Sequence, residues 1–416
     1  MKKILVLGGA AVHIKLVQAA KEMGLYTIVT DNVDYTNSPG KQIADEYWDY
    51  NIYNVEDIVQ ACKNNGVNGV VCGWLDPCQR VYNQICEELQ LPCYGTKEQF
   101  YKMTDKHAFK QMCEENGVDI IPEYSIEDIE NKNVEFPVFV KPIDSRGSRG
   151  QSVCYTYSEL ETAIEFARQE SSNGDLIIEQ YINHGQEFHV TYFFVDGEPH
   201  LLRTSDNYCG GEEMHMEKVV SCAVMPSRFT EEYLKRAHPQ VVAMFKKLGI
   251  KNGPIFMQGF EDNGVFRFFD PGLRFPGVDY ELIFKQVFDI DLMKAMIQIA
   301  MEGKCNINIP KEVVYLNNNK AAVLYLTVKA CTIKTFEGEE LVKSSSNVIS
   351  YLPRCKVGDK ITWEYNVNQR LCELDLLAAD MEELKNTIEF IHKSIKVVDE
   401  NGEDAIFARF DTKRLS

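Results

Sequence analysis

The chain has 416 residues, which is more than one ordinary domain holds and calls for two or three. Hydrophobic residues make up 45% and charged residues 25%, the balance of a soluble globular protein. With 44 basic and 62 acidic side chains the net charge is −18, which excludes a generic nucleic-acid or anionic-membrane binder, since both need a basic face.

Residues 1 to about 95 alternate strand and helix signals. "KILVLGG" reads as a buried strand running into a glycine turn, "HIKLVQAAKEMG" as a helix with a glycine stop, and "LYTIVTD" as a second strand ending at Asp31. "NVEDIVQACKNNG" is a helix capped by Asn54, "VNGVVCGW" a strand, and a further helix is expected over about 78–90. This alternation predicts a parallel, doubly wound, Rossmann-like α/β domain. A dinucleotide fingerprint is incomplete: Gly8 and Gly9 are followed by Ala10, Ala11, Val12 and His13, so the later glycines are missing. The N-terminus has too short an apolar run for a secretory leader, and no run approaches a membrane span. The 13 scattered cysteines then read as free, mostly buried thiols of a reducing cytosol. "CGWLDPC" lacks a partnering Cys/His pair at zinc spacing.

The pattern changes from about 97 onward. "TDKHAFKQMCEENG" predicts a helix with Thr104 as N-cap and Gly117 as stop. "FPVFVKP" is a short strand, "SRGSRG" a glycine-bearing loop, and a helix follows at about 157–170. "DLIIEQYI" is a strand, and "QEFHVTYFFVDGEPHLL" a hairpin turning at Asp196 and Gly197. One long helix is expected over about 229–248, then a second hairpin, "PIFMQGFEDNGVFRFFD". From about 305 to the end, "KAAVLYLTVKACTI", "EELVKSSSNVISYL", "ITWEYN" and "AIFARFD" read as strands and "DMEELKNTIEFIHKSI" as an amphipathic helix, giving an antiparallel α+β appendage.

Four features carry chemistry. Lys141 ends an apolar strand just before a flexible polar loop, which suits either phosphate binding or a solvated strand cap. Glu179 and Glu187 flank a strand end that could serve a purine and a ribose, or stand as two solvated acids. Gln258 and Asp270 depend on hairpin register: a three-residue Asp-Asn-Gly loop makes them diagonal neighbours, whereas a two-residue turn puts them on opposite faces. Arg274 follows Asp270 by four residues in "FFDPGLRFPG", with Gly272 where a second oxygen ligand would help. Arg203 is open to pairing a carboxylate or to standing solvated, and His189 and His215 read more readily as structural or solvent-facing than as bases.

Lysine in a helix start, lysine before a glycine loop, acid-bearing strand and acid-x-x-x-Arg hairpin, in that order, resemble the ATP-grasp superfamily, in its carbamoyl-phosphate-synthase-like, amino-acid-ligase-like branch. The resemblance implies three parts: a Rossmann-like pre-ATP-grasp domain (1–95), a two-lobed α+β ATP-grasp domain (96–304, with a mobile subdomain at about 120–185) and an antiparallel α+β lid-like C-terminal domain (305–416). It further implies an ATP-dependent carboxylate–amine ligase acting through an acyl phosphate. The alternative is an ATP-binding protein of weak or no ligase activity. Lys106 and Lys141 would contact ATP phosphates, and Ser148 would lie in the loop closing on them. Glu179, Tyr181 and Ile182 would form the adenine hinge, with Glu179 and Tyr181 acting through backbone groups and Ile182 packing nearby. Glu187 would meet the ribose, and Arg274 would steady the transferred phosphate, with Lys141 the other catalytic cation. Mg²⁺, or Mn²⁺ in its place, would be held by Asp270 and Gln258. The family usually has an acid at the position of Gln258 and acid-x-Asn-x-Arg where this chain has Asp270-Pro271-Gly272-Leu273-Arg274. Partners implied are small carboxylate and amine substrates and a second copy of the chain in a homodimer.

Overall fold

The structure is a computed structural model, and it describes residues 1–415 apart from 75, 144–149, 172, 183–184, 211–218, 278–279 and 363–368. Strands β1 (Lys3–Leu7), β2 (Tyr26–Thr30), β3 (Glu46–Trp48) and β4 (Gly69–Cys72) form a parallel sheet in the order β3-β2-β1-β4. Strands β1, β2 and β4 are buried along nearly their whole length because helices cover both faces. Helices Ile14–Glu22, Val55–Asn65 and Asp76–Leu89 are among those that alternate with it, as the periodicity predicts.

A small antiparallel sheet follows, β6 (Ser152–Cys154), β5 (Val138–Pro142) and β7 (Leu176–Gln180) in that order. Val138 and Val140 turn one face of it toward Leu160, Ala163 and Ala167 of the helix Tyr157–Glu170. Period-2 alternation therefore turns Phe139 and Lys141 the other way.

The largest sheet is antiparallel and has nine strands. They are β8 (Gln186–Val195), β9 (Glu198–Cys209), β10 (Val220–Met225), β11 (Gly253–Asp262), β12 (Val265–Gly272), β13 (Lys320–Val328), β15 (Val348–Pro353), β17 (Arg370–Ala378) and β19 (Ile406–Ala408). Their order is β12-β11-β8-β9-β10-β13-β17-β15, with β19 pairing β13. The order carries the sheet without a break from the strands preceding residue 300 into those following it, through the β10–β13 pair. Ala321, Val323 and Tyr325 of β13 belong to the core shared with the N-terminal sheet, while Ala322, Leu324 and Leu326 belong to a second core. That second core is closed by Leu384, Ile388 and Ile391 of the helix Met381–Ser394. A short sheet, β16-β14-β18 (Lys360–Ile361, Cys331–Glu337, Lys396–Asp399), completes the chain.

Some expectations are corrected. The single helix over 229–248 is two, Thr230–Arg236 and His238–Leu248, because Pro239 removes an N–H and crowds the preceding turn. "EELVKSSSNVISYL" is a short helix, Glu339–Lys343, before β15 begins. Asp105, not Thr104, caps the helix Lys106–Glu114, accepting from the Ala108 amide at 3.0 Å. All 13 cysteines are free, and only Cys93 and Cys209 are not fully buried. Among the described residues no helix is long and apolar enough to cross a membrane.

Candidate active site

The outward face of the small sheet builds the first wall. Register pairs Phe139 with Glu179 directly and Lys141 with Ile177, so Phe139, Lys141 and Glu179 share that face. Lys141 Nζ donates to Glu179 Oε1 at 2.5 Å and Lys110 Nζ to Glu179 Oε2 at 2.9 Å. Lys110 also pairs with Glu123. Burial pushes the Glu179 carboxyl up, but the two ammonium groups outweigh it and hold the pKa below the ordinary value. Burial, aided by the neighbouring Lys106 and Lys110 charges, pushes Lys141 down. Lys106 stands one helical turn before Lys110, at the start of its helix, and lines the same cleft.

Beyond β7 the chain turns along the cleft. The amides of Gln180 and Tyr181 donate to the Pro122 and Pro137 carbonyls at 2.9 and 3.0 Å, which secures the segment from behind. Tyr181 and Ile182 line the cleft beside Phe139, whose ring centre is 6.2 Å from that of Tyr181.

The opposite wall is one face of the large sheet. Glu187 Oε1 is 2.7 Å from His189 Nε2, and Glu187 Oε2 accepts from Cys209 Sγ at 3.0 Å. Burial raises the Glu187 pKa, while the His189 and Cys209 contacts lower it further than burial lifts it. Burial, with the Glu187 charge beside it, pushes the Cys209 thiol well up, which argues against a nucleophile there. Asn207, paired across from Glu187, places Nδ2 3.0 Å from His189 Nδ1.

Gln258 and Asp270 are directly opposed on β11 and β12, next to His189 on β8. The turn is the two-residue type: Asp262 pairs Val265, with Asn263 and Gly264 both at positive φ. Left alone, that turn would set the two side chains on opposite faces. A β-bulge between Gln258 and Gly259 adds one residue on β12 and restores them to one face. Of the two registers the sequence leaves open, the two-residue turn is the one formed, and the bulge still brings Gln258 and Asp270 to one face.

Gly272 is more than a missing ligand. A Cβ there would stand 2.1 Å from the Phe256 ring, so Phe256 fills the space a side chain would need. The Arg274 guanidinium also lies over that ring, 4.7 Å from its centre, and Nη1 donates to the Phe275 carbonyl at 2.8 Å.

These walls enclose a cleft of about 520 Å³. Lys106, Lys141, Glu179, Tyr181, Ile182, Glu187, Gln258 and Asp270 all line it. Arg274 is buried beside it and does not line it, and Ser148 lies outside the described residues. Lys110 carries a sequence signal only in its i+4 spacing from Lys106. His189, which reads from the sequence as structural or solvent-facing, is tied to Glu187, and nothing in the sequence marks Asn207 or Arg414, which reaches the cleft from the C-terminus. For a hard cation the donor set is one carboxylate and one amide oxygen, and among the described residues no cluster of three His, Cys, Asp or Glu exists. That set fits Mg²⁺ carried on phosphates and waters and does not fit a resident all-protein site.

The family profile described as "ATP-grasp domain" matches residues 134–266. Mitochondrial pyruvate carboxylase of Mus musculus is 24% identical over 326 residues, covering 73% of this chain and 27% of that protein. The chain thus spans about a quarter of the length of the pyruvate carboxylases it matches. The solved L-amino acid ligase of Bacillus licheniformis superposes with a TM-score of 0.77 at 18% identity, over 96% of this chain and 99% of that one. The biotin carboxylase domain dimer of Hydrogenobacter thermophilus 2-oxoglutarate carboxylase, solved with MgADP, ADP and bicarbonate, does so at 0.77 and 18% over 96% and 91%. The fold is shared with these proteins, and residues 134–266 carry an ATP-grasp domain.

Proposed function

We propose that the chain is an ATP-dependent carboxylate–amine ligase. One observation carries the reading: two cation sources, Lys106 and the Glu179-pinned Lys141, face the Gln258–Asp270 pair across a single cleft. Adenine would lie along the Tyr181–Ile182 segment and ribose near Glu187, which puts the triphosphate between the lysines and Asp270. A substrate carboxylate oxygen attacks the γ-phosphorus and ADP leaves. The amine nitrogen then attacks the acyl carbon, and phosphate departs as the amide forms with loss of the amine proton. Mg²⁺ on the triphosphate supplies neutralisation of the charge that develops on its oxygens. The chain's own part is positioning and charge balance: Lys106 and Lys141 hold the anion, and Asp270 and Gln258 orient the cation. The crystallised MgADP complex of the related biotin carboxylase domain supports the nucleotide and the metal, and the dimeric state of that domain supports a homodimer here.

Purified protein with Mg–ATP and pools of amino acids and small carboxylic acids tests the reading through substrate-dependent ADP release. Tight ATP binding with no release in any pool would replace the ligase by a nucleotide-binding protein without turnover. Asp270→Asn is expected to weaken Mg-dependent ATP binding or turnover by about 10- to 100-fold, the worth of one charged contact. Unchanged values would place the metal elsewhere.

A further inference from the structure

Arg203 is 1% exposed, which overturns the reading of a solvated arginine. It pairs directly with Thr191 across β8 and β9, and Ser205 pairs with His189. Because His189 in turn pairs with Gln258 and Gln258 with Asp270, all of these residues occupy one sheet face, the one that opens into the cleft. Arg203 lies two residues along β9 from the row holding Ser205, His189, Gln258 and Asp270, an offset of about 7 Å.

Its Nη2 donates to Ser205 Oγ at 2.6 Å, and Ser205 donates in turn to Asn207 Oδ1 at 2.8 Å. Its Nε and Nη1 meet no acceptor among the described residues. The hydroxyl of Thr191, completely buried beside it, has no partner among them either. Two cross-strand neighbours therefore present unspent polar atoms at one spot. A guanidinium cannot lose its proton to escape burial, and buried N–H groups of a cation without acceptors are strongly unfavourable. The Tyr280 ring lies over the guanidinium, 5.5 Å from its carbon, and attracts it without accepting those protons in their plane.

We propose that Arg203 and Thr191 anchor a carboxylate of the substrate that is not the one activated. The inference rests on the ligase reading and sharpens its substrate class. The reacting carboxylate must adjoin the γ-phosphate, in the Asp270 row, so an anion about 7 Å further along the strand is a spectator. One guanidinium and one hydroxyl match a singly charged, planar carboxylate, whereas a phosphate dianion draws more cations. The ligand enters by displacing the Tyr280 ring. Two sources share this chemistry: an amino acid serving as the amine, or a dicarboxylic acid serving as the acceptor. In either case the product is an amide that keeps a free carboxylate.

The test compares glycine, alanine and glutamate with methylamine and ethylamine, and succinate and glutarate with butyrate, in the full chain with Mg–ATP. ADP release and thermal stabilisation of the resting protein are both read. Wild-type protein is expected to favour the probe with the extra carboxylate, at the amine position if amino acids are the source and at the acid position if dicarboxylates are. Arg203→Met is expected to keep MgATP affinity and raise the KM of that probe at least about 10-fold, with Arg203→Lys intermediate. It is also expected to raise the melting temperature, because an unsatisfied buried charge is removed; a purely structural arginine would lower it. Equal use of simple and carboxylate-bearing probes, or an unchanged KM in folded Arg203→Met or Arg203→Lys, overturns the proposal. Should no pool release ADP, the ligase reading fails, and the stabilisation arm still decides: carboxylate-dependent stabilisation lost in Arg203→Met upholds the anchor, and its persistence removes it.

Discussion

Glu179 divides its two oxygens between Lys141 and Lys110, and all three side chains are almost out of water. Removing its charge leaves two buried cations facing each other, so Glu179→Gln is expected to destabilise the chain by about 3–5 kcal/mol, read by urea denaturation. ATP affinity should fall with it, since Lys141 loses the contact that aims it. Gly272 makes the opposite kind of demand. The Phe256 ring occupies the space beyond its Cα, so Gly272→Ala is expected to cost about 1–3 kcal/mol by overpacking. A thermal melt indistinguishable from wild type would mean that Phe256 yields freely. Lys141, Glu179, Glu187 and Asp270 were legible one at a time as residue types at strand ends. What Glu179 does with its side chain was not, because both of its partners are at least 38 residues away in sequence.

The helix Lys106–Glu114 sets Lys106 on the cleft and, one turn on, Lys110 against Glu179, and its N-terminal cap sets where they begin. Asp105→Ala removes the acceptor of the Ala108 amide and is expected to lose about 1 kcal/mol. The effect on nucleotide binding should exceed that on folding, as Lys106 is the next residue. Isothermal titration beside a melt separates the two. Element types were readable here from periodicity and turn chemistry, including the Asp196–Gly197 and Asn263–Gly264 turns at positive φ. The bulge on β12 was not readable. It depends on how Gly259 packs against the Arg267 carbonyl and the Phe268 ring, where a Cβ would come within 2.5 and 2.9 Å.

Across the molecule, a buried histidine, His13, and a half-buried one, His392, make stability depend on pH. Burial is the main cause that lowers His13 and His392 to about 4 each. Between the unfolded value near 6.5 and the folded one, the unfolded chain binds more protons, so stability rises with pH over that window and is lost as pH falls through it. Each histidine contributes on the order of 3 kcal/mol at the limit. Urea midpoints at pH 7 and pH 4.5 should differ accordingly, and His392→Gln should flatten the difference. A flat profile in the wild-type chain would mean that both rings stay solvated. The carboxylates Glu179 and Glu187 act in a lower window, because their folded values lie below the ordinary one.

Strand–helix alternation and the order of charged residues by themselves determined the fold class and eight of the residues lining the cleft, Lys106, Lys141, Glu179, Tyr181, Ile182, Glu187, Gln258 and Asp270. These are local or ordered along the chain, and periodicity and spacing record them directly. Only the tertiary structure decided the rest. It set Lys110 on Glu179, cancelled the two-residue turn with a bulge, filled the place beside Gly272 with Phe256, and buried Arg203 and Thr191 with polar atoms unspent. Each of those outcomes is a contact between strands or helices distant in sequence. Its energy comes from what packs beside the residue, and no spacing along one chain carries that information.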